Sequence, residues 1–243
     1  MAERVAVVTG VSKGLGAALA RSLVEQDYDV IGVGRSAAHE LASSRFRLVP
    51  SDLGDLEALP AIVDALFAEL ARANPKEIVV INNAAVASPA GTIGILDAAE
   101  ASASMNVNLI APAIIANSFV RAFADSRTQQ RLINVSSGAA TQAIPGIGLY
   151  CAAKAGLEML TRIVAAESRA GVTAITVRPG VIDTPMQTSI RSQSKERVPS
   201  VDMFHGFHAS GQLQSAQTTA KKIVERLVLG AVENGRVYSY AEL

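Results

Sequence analysis

Short apolar runs without polar alternation recur along the chain, and longer segments with helical spacing separate them. The first run, Arg4–Thr9, is rich in β-branched residues. A run of this length and composition is typical of a strand buried on both faces of a parallel sheet. Further strands are predicted at Asp29–Val33, Arg45–Val49, Glu77–Ile81, Arg131–Val135 and Val172–Val177. A last strand is predicted at Arg236–Tyr240, where polar and apolar residues alternate.

Helical spacing fills most intervals between these strands. The predicted helices cover Ala17–Glu25, a segment from about Asp55, Asp97–Ala124, Gly148–Ala170 and Ser215–Leu229. Pro112 should kink or break the third of them, because proline cannot donate within a helix. Strands and helices in alternation predict an α/β fold: a doubly wound, Rossmann-like parallel sheet of about seven strands in a single domain covering residues 1–243. Ligands of such sheets bind at the carboxyl ends of the strands.

Regular spacing is lost from Pro185 to about Ser215. A long irregular segment in a compact domain is often a lid or binding loop, so we expect a substrate loop at about 186–215. His205 and His208 lie in it. No third ligand accompanies them, so no metal site is predicted.

Composition narrows the partners. The 243 residues include 22 basic and 22 acidic side chains, so no net charge steers the protein toward nucleic acid or an anionic membrane. We find neither an apolar run of 18 residues nor a leader pattern at Met1–Thr9. Cys151 is the one cysteine, which fits a reducing cytoplasm. A small-molecule partner is therefore expected.

A glycine-rich turn joins the first strand to the first helix. Its sequence is Gly10-Val11-Ser12-Lys13-Gly14-Leu15-Gly16. Bare backbone N–H groups and the positive end of a helix favour an anion there. The Gly-x-x-x-Gly-x-Gly spacing differs from the common dinucleotide fingerprint, and glycines that only permit a tight turn are the alternative.

The end of the second strand bears on cofactor choice. An acidic residue there would bind the ribose 2′-hydroxyl of NAD, whereas this chain has Gly34-Arg35-Ser36. Arg35 together with Lys13 would suit the 2′-phosphate of NADP, unless both are ordinary solvated cations. After the third strand, Asp52 and Leu53 would meet an adenine edge, or Asp52 merely caps the next helix.

Small residues follow the fourth strand, where Asn82-Asn83-Ala84-Ala85 leaves room for a flat ligand on the strand ends. Asn108 lies among apolar neighbours in a predicted helix. A buried amide needs hydrogen-bond partners, and both a core asparagine and a functional one meet that requirement.

Tyr150 and Lys154 begin a predicted helix one turn apart, so both project from one face. A phenol that works as an acid near neutral pH needs its pKa lowered by about three units, roughly 4 kcal/mol. An ammonium about 4 Å away supplies attraction of that order. Ser137, at the end of an apolar run, could orient a carbonyl. The alternative is a half-buried tyrosine beside a solvated lysine.

These motifs occur in one order that resembles the short-chain dehydrogenase/reductase family, from about residue 4 to 240. The resemblance implies that Tyr150 donates a proton to a substrate carbonyl, that Lys154 lowers its pKa and holds the nicotinamide ribose, and that Ser137 positions the carbonyl. It implies a water held by Asn108. It also implies cofactor contacts from Asn83, Ala84, Ala85, Pro179, Gly180, Ile182 and Thr184.

Two departures and a finer likeness accompany this resemblance. Ala85 replaces the family's usual glycine, and Glu233-Asn234-Gly235 replaces an Asp-Gly-Gly run. That ending, with residues 135–139 and the Tyr150-Cys151 pair, resembles the sepiapterin reductase and benzil reductase branch.

The expected function is an NADPH-dependent carbonyl reductase acting on a ketone or vicinal diketone. The alternatives are an NAD-dependent alcohol dehydrogenase of the same fold and a dinucleotide-binding regulator without turnover. The family likeness, and the surplus of apolar residues on the helices at 97–124 and 148–170, also predict a homodimer or homotetramer.

Overall fold

The computed structural model describes residues 3–124, 126–167 and 171–243, which form one seven-stranded parallel sheet. The strands are β1 Arg4–Thr9, β2 Asp29–Gly34, β3 Phe46–Pro50, β4 Glu77–Asn82, β5 Gln129–Val135, β6 Val172–Arg178 and β7 Val237–Ser239. Their order across the sheet is β3-β2-β1-β4-β5-β6-β7. The chain therefore reverses direction across the sheet between β1 and β4, and the predicted doubly wound architecture is confirmed.

Helices cover both faces of the sheet. They are α1 Gly14–Glu25, α2 Leu59–Ala73, α3 Ala98–Met105, α4 Ala111–Ala122, α5 Gly148–Glu167, α6 Pro185–Arg191, α7 Val201–Ala209 and α8 Ala216–Ile223. Apolar residues of α1 and α8 pack on one face, and those of α2 and α4 pack on the other. Strands buried on both sides explain the apolar runs without alternation. The predicted end of α5 at Ala170 lies outside the described residues, as do Met1 and Ala2 of the segment Met1–Thr9 in which no leader pattern was found.

The predicted break at Pro112 does not occur. A π-helical turn at Asn106–Ile110 joins α3 to α4, and Pro112 lies in the first turn of α4. The Ala111 amide bonds back five residues to the Asn106 carbonyl. This wider turn shifts the bonding register ahead of the proline, so the helix continues past a residue that cannot donate.

The joined helix Ala98–Ala122 is long and apolar enough to cross a membrane, judged by its length and composition alone. In the fold, 44% of its most apolar stretch is buried, and core helices of globular proteins are often equally long and apolar. Polar residues such as Glu100 interrupt it, which is why the sequence showed no continuous apolar run of that length.

The prediction of an irregular segment after Pro185 is wrong. The short helices α6 and α7 occupy much of it, and Val201 and Phe204 of α7 are buried. Their spacing of three residues is helical. Gly206 and the shortness of each helix hid that signal, because a helix needs two or three turns before its period is clear in a sequence.

Candidate active site

One cavity of about 1120 Å³ opens at the carboxyl ends of the strands. It collects every residue that the sequence singled out for a cofactor or for chemistry, with the exception of Asn108. These lining residues are Gly10, Ser12, Lys13, Gly14, Leu15, Gly16, Arg35, Ser36, Asp52, Leu53, Asn83, Ala84, Ala85, Ser137, Tyr150, Lys154, Pro179, Gly180, Ile182 and Thr184. Residues scattered over 175 positions thus meet at the edge where doubly wound sheets bind ligands.

The glycine turn between β1 and α1 has no room for side chains. Gly10 has a φ of +74°, and a Cβ there would lie 2.9 Å from the Ala84 Cα. At Gly16 a Cβ would lie 2.1 Å from the Gly10 carbonyl oxygen and 2.4 Å from the Asn83 amide nitrogen. The turn therefore packs directly on the end of β4, and its backbone N–H groups at the start of α1 fit a phosphate.

One cation lies within this turn and another lies beside the same cavity. Lys13 and Arg35 are exposed and line the cavity. Within the described parts of the chain, neither side chain is engaged in a hydrogen bond or an ion pair. Asp52 is also exposed, and its carboxylate accepts from the Gly54 amide at 2.9 Å. This bond closes a local turn, and Asp52 does not cap α2, so the alternative interpretation of Asp52 is wrong. Asp55 instead accepts from the amides of Glu57 and Ala58 just before α2.

Ser137, Tyr150 and Lys154 meet deeper in the cavity. The Ser137 side chain lies close enough to the Tyr150 phenol to influence its pKa, and the Ser137 hydroxyl accepts from the Ala139 amide at 3.2 Å. Lys154 is 2% exposed, and its Nζ donates to the Val135 carbonyl at 2.7 Å. That nitrogen lies 5.6 Å from the centre of the Tyr150 ring.

The pKa of Tyr150 differs from the sequence prediction. Burial raises the pKa of Tyr150 to about 12, while the neighbouring Ser137 hydroxyl acts in the opposite direction. The Lys154 ammonium donates its hydrogen bond to the Val135 carbonyl, not to the phenol. Burial also lowers the pKa of Lys154 to about 8. Desolvation thus outweighs the expected attraction between the two groups in this structure.

Asn108 lies outside the cavity wall, buried in the π-helical turn between α3 and α4. Its amide group donates to the Val86 carbonyl at 2.8 Å and accepts from the Val86 amide at 2.9 Å. It also donates to the Ser104 hydroxyl at 3.2 Å. These bonds fix the segment after β4, which lines the cavity, and they satisfy the core interpretation of this asparagine.

An apolar wall closes the end of the cavity beside Tyr150. The two helices α6 and α7 form it together with the segment before α5. The sequence had placed some of its members in a binding loop and missed others. The wall consists of Ile144, Ile147, Met186, Ile190, Met203, Phe204 and Phe207. His205 and His208 are exposed on α7, and the described residues contain no group of three or more potential metal ligands.

A carboxylate that the sequence analysis overlooked lies directly behind the site. Glu158 is buried in α5, and Arg178 and Ser136 bond to it. An acidic residue one turn after Lys154 in an apolar helix was a visible signal. Its partners could not be found without the strand order, because Ser136 follows β5 and Arg178 ends the neighbouring strand β6.

Comparison with known proteins decides the family. A family model described as short chain dehydrogenase matches residues 4–195, most of the chain. The chain belongs to this family. The resemblance drawn from the sequence motifs is therefore confirmed, and this short-chain dehydrogenase is an oxidoreductase that acts on carbonyl or alcohol groups.

Relatives of this short-chain dehydrogenase include the branch that the sequence suggested. The chain is 32% identical over 243 residues to a benzil reductase ((S)-benzoin forming) of Bacillus cereus, with 96% of this chain and 98% of that protein covered. It is 29% identical over 252 residues to a sepiapterin reductase of Xenopus tropicalis, covering 94% and 93%.

Solved structures agree with this assignment. The KRED1-Pglu enzyme matches with a TM-score of 0.82 and 28% identity, over 96% of this chain and 99% of that one. A short chain dehydrogenase from Burkholderia cenocepacia J2315 in complex with NADP matches with a TM-score of 0.76 and 25% identity, over 98% and 96%.

Proposed function

We propose that this short-chain dehydrogenase is an NADPH-dependent carbonyl reductase that reduces a ketone or a vicinal diketone. The observation that carries this proposal is the meeting of Ser137, Tyr150 and Lys154 beside the glycine turn in one cavity. NADP(H), when bound, supplies or accepts the hydride. The positive φ of Gly10, the close packing at Gly16 and the backbone N–H groups at the start of α1 fit its pyrophosphate.

In the proposed reaction the protein holds the carbonyl and supplies a proton. The Ser137 hydroxyl donates a hydrogen bond to the substrate oxygen. The neutral Tyr150 phenol gives its proton to that oxygen as negative charge develops there. Lys154 holds the nicotinamide ribose. Asn108 fixes the Val86 backbone beneath the substrate.

The preference for NADP rests on Arg35 and Lys13. Both cations border the cavity, and the residue before Arg35 is a glycine where an acidic side chain would favour NAD. The Burkholderia cenocepacia relative, whose structure was determined with NADP, supports the same choice.

The substrate class rests on the apolar wall and on the relatives. Isoleucine, methionine and phenylalanine side chains of the wall suit a flat, aryl-bearing carbonyl compound. A benzil reductase and a sepiapterin reductase are both relatives over nearly the whole chain, so benzil-like and pterin-like carbonyls are the first candidates. The cytoplasmic location expected from the cysteine usage stays a prediction.

The deciding experiment follows oxidation of NADPH and NADH with a panel of simple ketones, vicinal diketones and pterin-like carbonyls, together with the reverse reaction on alcohols. We expect NADPH oxidation with a diketone or a pterin-like carbonyl. Turnover with NAD and an alcohol alone would favour the alcohol dehydrogenase alternative. Cofactor binding without any turnover would favour the regulator.

A further inference from the structure

A buried carboxylate ties together three segments that carry residues of the proposed site. Glu158 is 4% exposed, and both of its oxygens are bonded. Its Oε1 accepts from the Ser136 hydroxyl at 2.8 Å and from Arg178 Nε at 2.7 Å. Its Oε2 accepts from Arg178 Nη2 at 2.7 Å. The arginine is thus held by a bidentate, charge-assisted pair, which fixes direction as well as distance.

Each partner adjoins a residue of the site. Ser136 follows β5 and immediately precedes Ser137, and Arg178 ends β6 just before the Pro179-Gly180 turn that lines the cavity. Glu158 is one helical turn after Lys154 in α5. The cluster therefore connects α5 to the carboxyl ends of the neighbouring strands β5 and β6, where the cavity opens.

Stability alone does not account for such a cluster. Moving two charges out of water costs free energy, and their mutual attraction often does no more than offset that cost. Apolar residues of similar volume at the same positions frequently make the fold equally stable. What an apolar replacement cannot supply is a directed set of three hydrogen bonds between three segments. The cluster is therefore better explained by geometry than by stability.

Glu158 and Lys154 do not pair with each other, although residues four apart on a helix lie on the same face. Arg178 and Ser136 occupy the Glu158 carboxylate, and the Lys154 ammonium bonds to the Val135 carbonyl instead. The lysine is thereby kept toward the cavity that it lines.

We propose that Glu158 is a positioning residue of the reaction. With Arg178 and Ser136 it holds α5 against the ends of β5 and β6, so that Tyr150 and Ser137 keep their mutual position in the cavity and Lys154 stays directed toward it. This inference rests on the proposed function, because it requires Tyr150 and Ser137 to act together on a carbonyl.

The test separates position from stability. In Glu158→Gln, we expect kcat to fall about 10- to 100-fold, since displacements near 1 Å cost that much, while the substrate KM changes little. The double variant Glu158→Met/Arg178→Met leaves no buried charge unpaired, so its melting temperature should return to about that of the parent. Its kcat should stay low. A kcat that recovers together with the melting temperature would overturn the proposal.

An ion pair at the amino ends of two central strands, opposite the cavity, provides the control. Arg4 bonds to Glu77 at 3.3 Å and to the Tyr28 hydroxyl at 2.9 Å, joining β1 to β4 far from the cavity. Glu77→Gln and Arg4→Met/Glu77→Met should change the melting temperature and leave kcat unchanged. An equal loss of kcat in these variants would show a general effect of destabilisation and would overturn the proposal.

Two further measurements keep the result decisive. Ser136→Ala removes one bond without stranding a charge, so it tests the cluster even if the double methionine variant fails to fold; an unchanged kcat in it would count against the proposal. Crystal structures of the parent and Glu158→Gln report the distance between the Ser137 hydroxyl and the Tyr150 phenol without any turnover. We expect this distance to increase in the variant, and an unchanged distance refutes the positioning role. A parent that reduces no carbonyl refutes the proposed function and leaves this geometric test standing.

Discussion

Burial raises the pKa of Tyr150 to about 12, because it disfavours the phenolate. A proton donor for carbonyl reduction must be neutral when the substrate binds and must give up the proton only as the oxygen gains charge. The raised pKa suits the first need, and the neighbouring Ser137 hydroxyl, which acts to lower the pKa, suits part of the second. Both features support the proposed reduction, in which Tyr150 starts protonated.

Tyr150→Phe tests the proton donor directly. The ring remains while the transferable proton is lost, so NADPH should bind as before and turnover should fall about 10²- to 10⁴-fold. Cofactor binding by fluorescence titration and kcat together check this. Tyr28→Phe is the matched control, because Tyr28 is buried at the amino edge of the sheet and bonds to Arg4. Near-normal turnover in Tyr150→Phe would remove this residue from its proposed role.

Lys154 imposes a cost on the fold that depends on pH. Burial lowers the pKa of Lys154 from 10.5 to about 8, so the folded state holds this proton less tightly than the unfolded state. The buried ammonium therefore destabilises the protein below pH 8, and the penalty fades as the pH rises from about 8 to 10.5. A residue that costs stability in a binding site is typical of a functional role.

Lys154→Met should remove this penalty. At pH 7 we expect its free energy of unfolding to exceed that of the parent by about 1–2 kcal/mol, after the lost bond to the Val135 carbonyl is counted. The gain should vanish near pH 10. Cofactor affinity and turnover should both fall. Urea unfolding at the two pH values, with NADPH titration, measures these effects. A variant less stable than the parent at pH 7, or one with unchanged cofactor affinity, contradicts the account.

At the scale of elements, the proposed preference for NADP rests on the end of β2. Arg35 and Lys13 would each give NADPH a charge-assisted hydrogen bond worth about 1.5–3 kcal/mol, less in these exposed positions. A side chain fits at Gly34, since a Cβ there would lie 3.7 Å from its nearest neighbour, the Gly10 nitrogen. An aspartate at this position can therefore face the ribose without moving the glycine turn.

Gly34→Asp/Arg35→Ala should reverse the cofactor preference. The new carboxylate repels a 2′-phosphate and accepts from the ribose hydroxyl of NADH, whereas the parent should favour NADPH by roughly a hundredfold or less. The measurement is kcat/KM for both cofactors in the parent, the double variant and Arg35→Ala alone. Equal use of both cofactors by the parent, or an unmoved preference in the double variant, would show that these side chains do not recognise the phosphate.

Elements were predictable where one physical cause dominates. The run Arg4–Thr9 was found to the residue because a strand buried on both faces admits only apolar side chains. The helix does not break at Pro112, because a π-helical turn just before it accommodates a residue without an N–H group. The hydrophobic pattern of the sequence gives no sign of such a turn. The helix α7 was missed because Val201 and Phe204 offer only one helical interval.

The site was predictable where function demands a residue type at a fixed place. Gly10 and Gly16 are such residues, because a side chain at either would collide with the backbone or the Asn83 amide. The cluster around Glu158 could not be inferred, because its partners are 20 and 22 positions away and meet only through the strand order. The pKa of Tyr150 was misjudged because burial is a property of the fold.

At the scale of the whole molecule, one side of the sheet has apolar surface left uncovered. Ile110, in the π-helical turn before α4, and Met159 and Ile163 on α5 are 38%, 52% and 44% accessible. Leu157, which also contributes to the apolar surplus of α5 in the sequence, is buried in the core instead. Contiguous exposed apolar side chains on helices are typical of interfaces between protein chains.

We expect two copies of the chain to pair through these helices, as homodimers or as parts of a homotetramer. Met159→Glu/Ile163→Glu should dissociate the assembly at micromolar concentration, because charge is poorly tolerated in an interface core. Sedimentation velocity of the parent and the variant measures this. Ile93→Glu is the control, since Ile93 is 77% exposed on a loop outside both helices. A parent that sediments only as a monomer, or a double variant that sediments like the parent, would place the interface elsewhere or remove it.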